Sequence, residues 1–228
     1  MRIITYLAPS LPPALFETIA RRLDAELVFE ERISGPLAGD DEPFSRGEAD
    51  IGFICAPSYR VLRGTVELLP ALVPVDVRAE GRPVYFAAVV VRADSRFRTI
   101  EDLRGARWAY NDRNSRSGWF SMLERVGSSD FFGSLLHAGS HLRSLDAVAD
   151  GRADAAAIDS NVLALNRRGE LRVIESWGPF AIQPAIIRSA ISEARKRELA
   201  ATLLAMRRDE LAAFGFAGFT PVSEAVYL

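Results

Sequence analysis

The sequence predicts an α/β protein made of two similar lobes, and three observations carry that expectation. An apolar strand, an amphipathic helix and a second apolar strand follow one another between Ile3 and Ile33, which is how a parallel βαβ sheet opens. Gly47-Glu-Ala-Asp50 and Gly151-Arg-Ala-Asp154 each run straight into an apolar strand, so one element recurs in the two halves of the chain. Two long apolar stretches, Val84 to Val91 and Ser176 to Ile187, suit strands that cross from one core to another, and no Pro/Ser-rich linker divides the sequence. The lobes are therefore expected at residues 1–86 with 185–228, and at residues 87–184.

Taken in order, Ile3 to Leu7 reads as a strand, Ala8 to Pro13 as a turn and Ala14 to Leu23 as a helix, with Leu15, Ile19 and Leu23 at helical spacing. Leu27 to Ile33 is the second strand, Ser34 to Asp41 a loop, and Glu42 to Arg46 a short turn closed by Gly47. The strand that ends at Cys55 carries Ser58 and Tyr59 just past its carboxyl end, where open α/β sheets hold ligands. Val66 to Val75 and Val84 to Val91 are further strands. Thr99-Ile-Glu-Asp102 matches a capping box for a short helix that Gly105 stops. Arg107 to Tyr110 is a strand, Ser117 to Val126 a helix stopped by Gly127, and Leu135 to Ala138 a strand. A helix from Leu142 to Asp150 precedes the strand Ala153 to Ile158, which ends at Asp159-Ser-Asn161. Ser192 caps a helix expected to reach about Phe214, with Leu199, Leu203, Met206 and Leu211 on its apolar face.

Composition narrows the function. The 228 residues are 49% hydrophobic and 25% charged, in the range of an ordinary soluble globular protein. A net charge of −2 without a clustered basic face argues against nucleic acid as a partner. Cys55 is the sole cysteine and is expected to be a buried, inert thiol; only His137 and His141 supply imidazoles, so neither a disulfide nor a transition-metal site is expected and no cofactor is implied. Asp40, Asp41 and Glu42 read as a solvated acidic loop. No apolar run approaches the roughly 18–20 residues that span a bilayer, and Met1 to Leu7 reads directly as a strand, so the chain as written carries no export signal and would be cytoplasmic if complete.

The chemistry centres on Asn114-Ser-Arg-Ser-Gly118, where a strand ends and a helix begins. Backbone N–H groups of a helix start lack partners and sit at the positive end of the dipole, so those of Arg116 to Gly118 together with the hydroxyls of Ser115 and Ser117 would hold a tetrahedral oxyanion. The same residues also suit a plain helix cap. His141 opens another helix behind Gly139 and Ser140 and fits either a ligand contact or a structural role; no Gly-x-Ser-x-Gly elbow accompanies it. Asp159 would orient a partner or face solvent, while Asn161 and Gln183 place amides beside apolar strands, where an unpartnered amide is costly.

The assembled residues resemble the phosphate/phosphite/phosphonate substrate-binding proteins of ABC importers, a branch of the type II periplasmic-binding-protein fold. The likeness rests on Ala49-Asp-Ile-Gly52, Tyr85 before Val89 to Ser95, Asp102-Leu-Arg-Gly105, Asn114-Ser-x-Ser-Gly118, Gly139-Ser-His141 and Ala147-Val-Ala-x-Gly-x-Ala-Asp154, and covers nearly the whole chain. It implies two α/β lobes joined by two crossing strands, closure of the cleft between them on a small anionic ligand, an ABC permease as partner, a monomer, and a periplasmic or otherwise extracytoplasmic location. The family's phosphonate contacts map onto Tyr85, Ser115, Arg116, Ser117 and His141. Where relatives place carboxylates for an aminoalkyl group this sequence has Asn161 and Gln183, so a cationic amine is not expected to be selected, with Asp159 as the remaining candidate carboxylate. Cytoplasmic enzymes on the same fold, of menaquinone- or thiamine-precursor type, are the alternative, with Asp159 or His141 as acid/base.

Overall fold

A computed structural model describes residues 1–29 and 43–227. The expected loop at Ser34 to Asp41, the end of the expected second strand and the acidic run Asp40, Asp41 and Glu42 lie outside the described residues. In chain order the elements are β1 (Arg2–Thr5), α1 (Pro13–Leu23), β2 (Glu26–Phe29), β3 (Ile51–Phe53), α2 (Ala56–Leu62), β4 (Val66–Leu68) and β5 (Ala71–Pro74). Then come β6 (Val84–Arg92), β7 (Arg107–Tyr110), α3 (Ser121–Val126), β8 (Ser134–His137), α4 (His141–Ala149), β9 (Ala155–Asp159), α5 (Ser160–Leu165) and β10 (Leu171–Ala181). The chain closes with β11 (Ala185–Arg188), α6 (Glu193–Leu204), α7 (Arg208–Leu211) and β12 (Phe216–Thr220). Two compact units result: Met1–Val84 with Phe180–Leu228, and Tyr85–Pro179.

The first unit holds a five-stranded sheet in the order β2-β1-β3-β11-β4, with β1 parallel to both β2 and β3 and β11 antiparallel to β3 and β4. The second holds β10-β6-β9-β7-β8, with β7 parallel to β8 and β9 and β6 antiparallel to β9. Each unit thus has three adjacent parallel strands followed by an antiparallel one. The repeated tetrapeptide is the local device behind this likeness. A left-handed glycine, Gly47 at φ 73° or Gly151 at φ 71°, turns the chain so that the aspartate three residues on grips the neighbouring strand at its start. Asp50 Oδ2 accepts from the Arg2 N–H at 3.0 Å while the Asp50 N–H donates to Arg2 O at 2.9 Å. Asp154 Oδ2 accepts from the Arg107 N–H at 2.8 Å and the Asp154 N–H donates to Arg107 O at 2.8 Å. Register in both sheets is set at this pinch.

Three expected elements differ. The strand expected over Val66 to Val75 is two strands in two sheets, since Pro70 has no N–H to continue a ladder and β5 pairs with β12 instead. The helix expected to reach Phe214 ends at Leu204, because Arg207 is extended and its N–H donates to the Glu210 carboxylate at 2.9 Å, which starts a new helix. The helix expected from Ser117 opens instead with a π-helical turn, Arg116–Phe120, before α3.

The aromatic packing of the second unit stacks Trp108 on Phe132 at 4.6 Å and on Trp177 at 6.3 Å. In the first unit the C-terminal Tyr227 is 1% exposed and joins Ile4, Phe44, Ile54, Tyr59 and Ile186 in one cluster. Its ring meets Tyr59 edge-on at 5.6 Å, and its hydroxyl is buried without a partner among the described residues. Burial, then the neighbouring Tyr59, pushes that phenol up from its ordinary value. Tyr227→Phe should therefore raise stability, by up to about 1 kcal/mol in urea unfolding, because it removes a desolvated hydroxyl and keeps the packing. A clear loss of stability would show that the hydroxyl is satisfied in solution.

Candidate functional site

In the second unit β9, β7 and β8 lie side by side and parallel, so the loops leaving their carboxyl ends emerge along one edge of the sheet. Each loop opens a helical segment, so three helix starts lie along that edge. Asn111 to Gly118 follows β7, Ala138 to His141 follows β8, and Asp159 to Asn161 ends β9 and begins α5. Tyr85 reaches the same edge by register: β6 pairs with β9 through Ala87 opposite Asp159, and the adjacent Phe86 N–H donates to Ser160 Oγ at 3.1 Å.

Ser115 opens the π-helical turn after β7. Its Oγ accepts from the Gly118 N–H at 3.0 Å, so it is a helix cap, yet a hydroxyl that accepts through a lone pair keeps its own proton to donate. The Gly118 N–H, expected among the oxyanion donors, is engaged by that cap. Trp119 and Phe120 both donate to Ser115 O at 3.1 Å, which closes the π-helical turn. Ser117 is 2% exposed, and its Oγ lies 3.2 Å from His141 Nε2, joining the loop after β7 to the helix after β8. Ser140 caps that helix, its Oγ accepting from the Arg143 N–H at 3.2 Å.

His141 is 8% exposed, and burial holds its imidazole down at about 4, so the ring is neutral near pH 7. Its Nδ1 is buried without a hydrogen-bond partner among the described residues. Asp159, expected either to orient a partner or to face solvent, is 1% exposed and caps α5, its Oδ1 accepting from the Asn161 N–H at 2.7 Å. Asn161 is 5% exposed and its Nδ2 lacks a partner among the described residues. Arg116 NH1 pairs with Glu124 of α3 at 2.5 Å.

Ser58, Tyr59 and Gln183 belong to the first unit. Ser58 Oγ bonds the Tyr6 hydroxyl at 2.8 Å, and that hydroxyl also accepts from the Cys55 N–H at 2.7 Å. Tyr59 lies within α2, fully buried, and donates its hydroxyl to Glu224 at 2.8 Å; burial, then that carboxylate, pushes the phenol up to about 12. It ties the C-terminal segment to the core. Gln183 lies between β10 and β11 and is half-buried. Cys55, expected to be buried, is partly exposed at the start of α2. Sequence reasoning passed over Tyr6 and Asn111, each the first residue after the central parallel strand of its sheet; the repeated tetrapeptide, which fixes where those strands begin, was the signal that would have found them.

Among the described residues no helix is long and apolar enough to cross a membrane. No curated protein matches the chain. Among solved structures, it is similar to a binding protein component of an ABC phosphonate transporter from Pseudomonas aeruginosa, with 18% identity, 96% of this chain and 80% of that one covered, and a TM-score of 0.76. PhnD1 from Prochlorococcus marinus, solved in complex with methylphosphonate, gives 15% identity, 100% and 94% coverage and a TM-score of 0.77. The periplasmic aliphatic sulphonate binding protein SsuA from Escherichia coli gives 15% identity, 99% and 82% coverage and a TM-score of 0.60. These likenesses establish the type II periplasmic-binding-protein fold, and the family gives no support to the enzyme alternative. The family model described as "ABC transporter, phosphonate, periplasmic substrate-binding protein" matches residues 13–227, and the chain belongs to that family.

Proposed function

We propose that this chain captures a small phosphorus oxyanion, of phosphonate, phosphite or phosphate type, at the strand ends of its second unit and hands it unchanged to an ABC permease. One observation carries the assignment of the site: His141 Nδ1 and Asn161 Nδ2, on two different helix starts, are buried without partners beside the serine-bearing turn. A buried polar atom without a partner costs about 1–3 kcal/mol, and a ligand oxygen at that edge would repay it. Ser115 supplies a hydroxyl proton there, the Ser117 hydroxyl donates to His141 Nε2 and so keeps the proton of the neutral ring on Nδ1, and the helix starts favour negative charge.

The donors are neutral. His141 is uncharged and Asn161 is an amide, and the carboxylate at α5, Asp159, is buried and caps that helix through Oδ1 instead of being held out to an ammonium group, so a phosphonate is selected by its phosphorus end and an aminoalkyl tail gains little. A thermal-shift panel of phosphate, phosphite, methylphosphonate, aminoethylphosphonate and small carboxylates tests this. The preferred phosphorus oxyanion at about 100 times its Kd should add roughly 2.7 kcal/mol of stability, with the aminoethyl compound no better than methylphosphonate. Stabilisation by none of the phosphorus compounds would sink the assignment, and a clear preference for the aminoethyl compound would sink the amide argument.

A further inference from the structure

Asn111 is the first residue after the central parallel strand β7, and its side chain enters the serine-bearing turn. The position that a Cβ on residue 118 would occupy lies 1.8 Å from Asn111 Oδ1 and 3.3 Å from Ser115 Oγ, so the amide oxygen fills the space that glycine leaves open beside the cap. That oxygen is buried and has no hydrogen-bond donor among the described residues. The N–H groups around it are directed elsewhere: Asn114 to Asp112 Oδ1 at 2.6 Å, Ser115 to Asp112 O at 3.2 Å, Gly118 to Ser115 Oγ, and Trp119 and Phe120 to Ser115 O.

The oxygen is the amide atom set against the turn. Gly118 presents only its Cα–H there, which an oxygen tolerates as a weak acceptor and an NH2 group does not. A carbonyl oxygen has two lone pairs, and the weak C–H contact occupies one of them. The turn therefore offers an oxyanion the Ser115 hydroxyl as a donor and, beside it, one acceptor that needs a proton. Of the nearby cations, Arg116 pairs with Glu124, and Arg113 lies over the Trp119 ring at 5.0 Å.

Resting on the reading that this edge clamps an oxyanion, we propose that Asn111 is a specificity-determining residue that selects oxyanions carrying a proton, its carbonyl oxygen accepting from a P–OH group. Monoprotonated phosphorus oxyanions near neutral pH have that proton. Sulfonates and sulfate do not, and an oxygen of theirs in the same place sets lone pair against lone pair in a buried site.

The test is calorimetric titration of the wild type and Asn111→Ala with methylphosphonate and its isostere methanesulfonate. Wild type should bind the phosphonate about 100-fold more tightly than the sulfonate, because a site built around a hydrogen bond rejects the analogue that cannot form it. Asn111→Ala should bring the two within a few-fold, chiefly by losing phosphonate affinity. Wild type binding both ligands equally, or an unchanged ratio in the variant, overturns the proposal, and the wild-type ratio decides alone if the variant does not fold. If neither methylphosphonate nor inorganic phosphate binds wild type, the clamp itself fails and the proposal with it; if sulfonate binds as well as phosphonate, the clamp stands and only the role of Asn111 falls.

Discussion

Ser117→Ala is expected to weaken capture of a phosphorus oxyanion about 10- to 100-fold while the chain still folds, because the serine hydroxyl holds His141 in the tautomer that presents Nδ1–H, and one hydrogen bond to a charged group is worth roughly 1.5–3 kcal/mol. The hydroxyl is 2% exposed and lies 3.2 Å from His141 Nε2, so it links two of the three helix starts that face the candidate site. Alanine suits helical backbone and leaves the π-helical turn intact, since the hydrogen bonds that close it run to Ser115 O. The folded chain should lose only the Ser117–His141 contact, about 1 kcal/mol of stability. Isothermal titration with the best ligand of the panel gives the affinity, and urea unfolding without ligand gives the stability. Unchanged affinity would return the serine to a purely structural role and move the oxyanion away from this turn. Ser115→Ala serves as the contrast: it should lower stability as well as affinity, since the cap on the Gly118 N–H is lost too.

The second large effect is a dependence of stability on pH that originates at His141. Its pKa lies at about 4 in the folded chain because burial disfavours the imidazolium, against an ordinary value near 6.5 once unfolded. As pH falls below that unfolded value, the unfolded chain takes up a proton that the folded chain refuses, so stability declines until the folded imidazole protonates as well. The contribution is fully present above about pH 6.5 and is lost on the way down to about pH 4, on the order of 3 kcal/mol in all. Urea unfolding across that range should show the slope in wild type and a flatter profile in His141→Gln. A saturating oxyanion should also flatten it, since negative charge beside the ring favours the imidazolium and raises the folded pKa. An identical slope in His141→Gln would place the titrating group elsewhere.

Much of the fold was legible in the chain because it is written in local signals. Short apolar runs and helical apolar spacing located β1, α1, β7, α4 and β9, and the two Gly-x-Ala-Asp turns announced that one element is used twice. The capping box also formed, with the Asp102 carboxylate accepting from the Thr99 N–H at 3.0 Å and Thr99 Oγ1 accepting from the Asp102 N–H at 3.3 Å. The breaks were harder to see. Apolar continuity concealed the change of sheet at Pro70, and helical propensity after Leu204 gave no sign that Glu210 would accept the Arg207 N–H and start a new helix.

For the site, the sequence by itself determined the parts: a serine-rich turn after one strand, a histidine at the start of the next helix, and an Asp-Ser-Asn sequence at the end of a third strand. Strand and helix signals place each residue at an element's end without reference to anything distant. Only the tertiary structure decided which ends are neighbours, by setting β9, β7 and β8 side by side so that residues far apart in the chain reach one edge. It likewise decided the chemistry there. Burial makes His141 neutral, a cap engages the Gly118 N–H, Tyr59 is bound to Glu224, and the Asn111 oxygen lies buried against Gly118. Desolvation and partner geometry arise from packing across the fold, and no window along the sequence contains them.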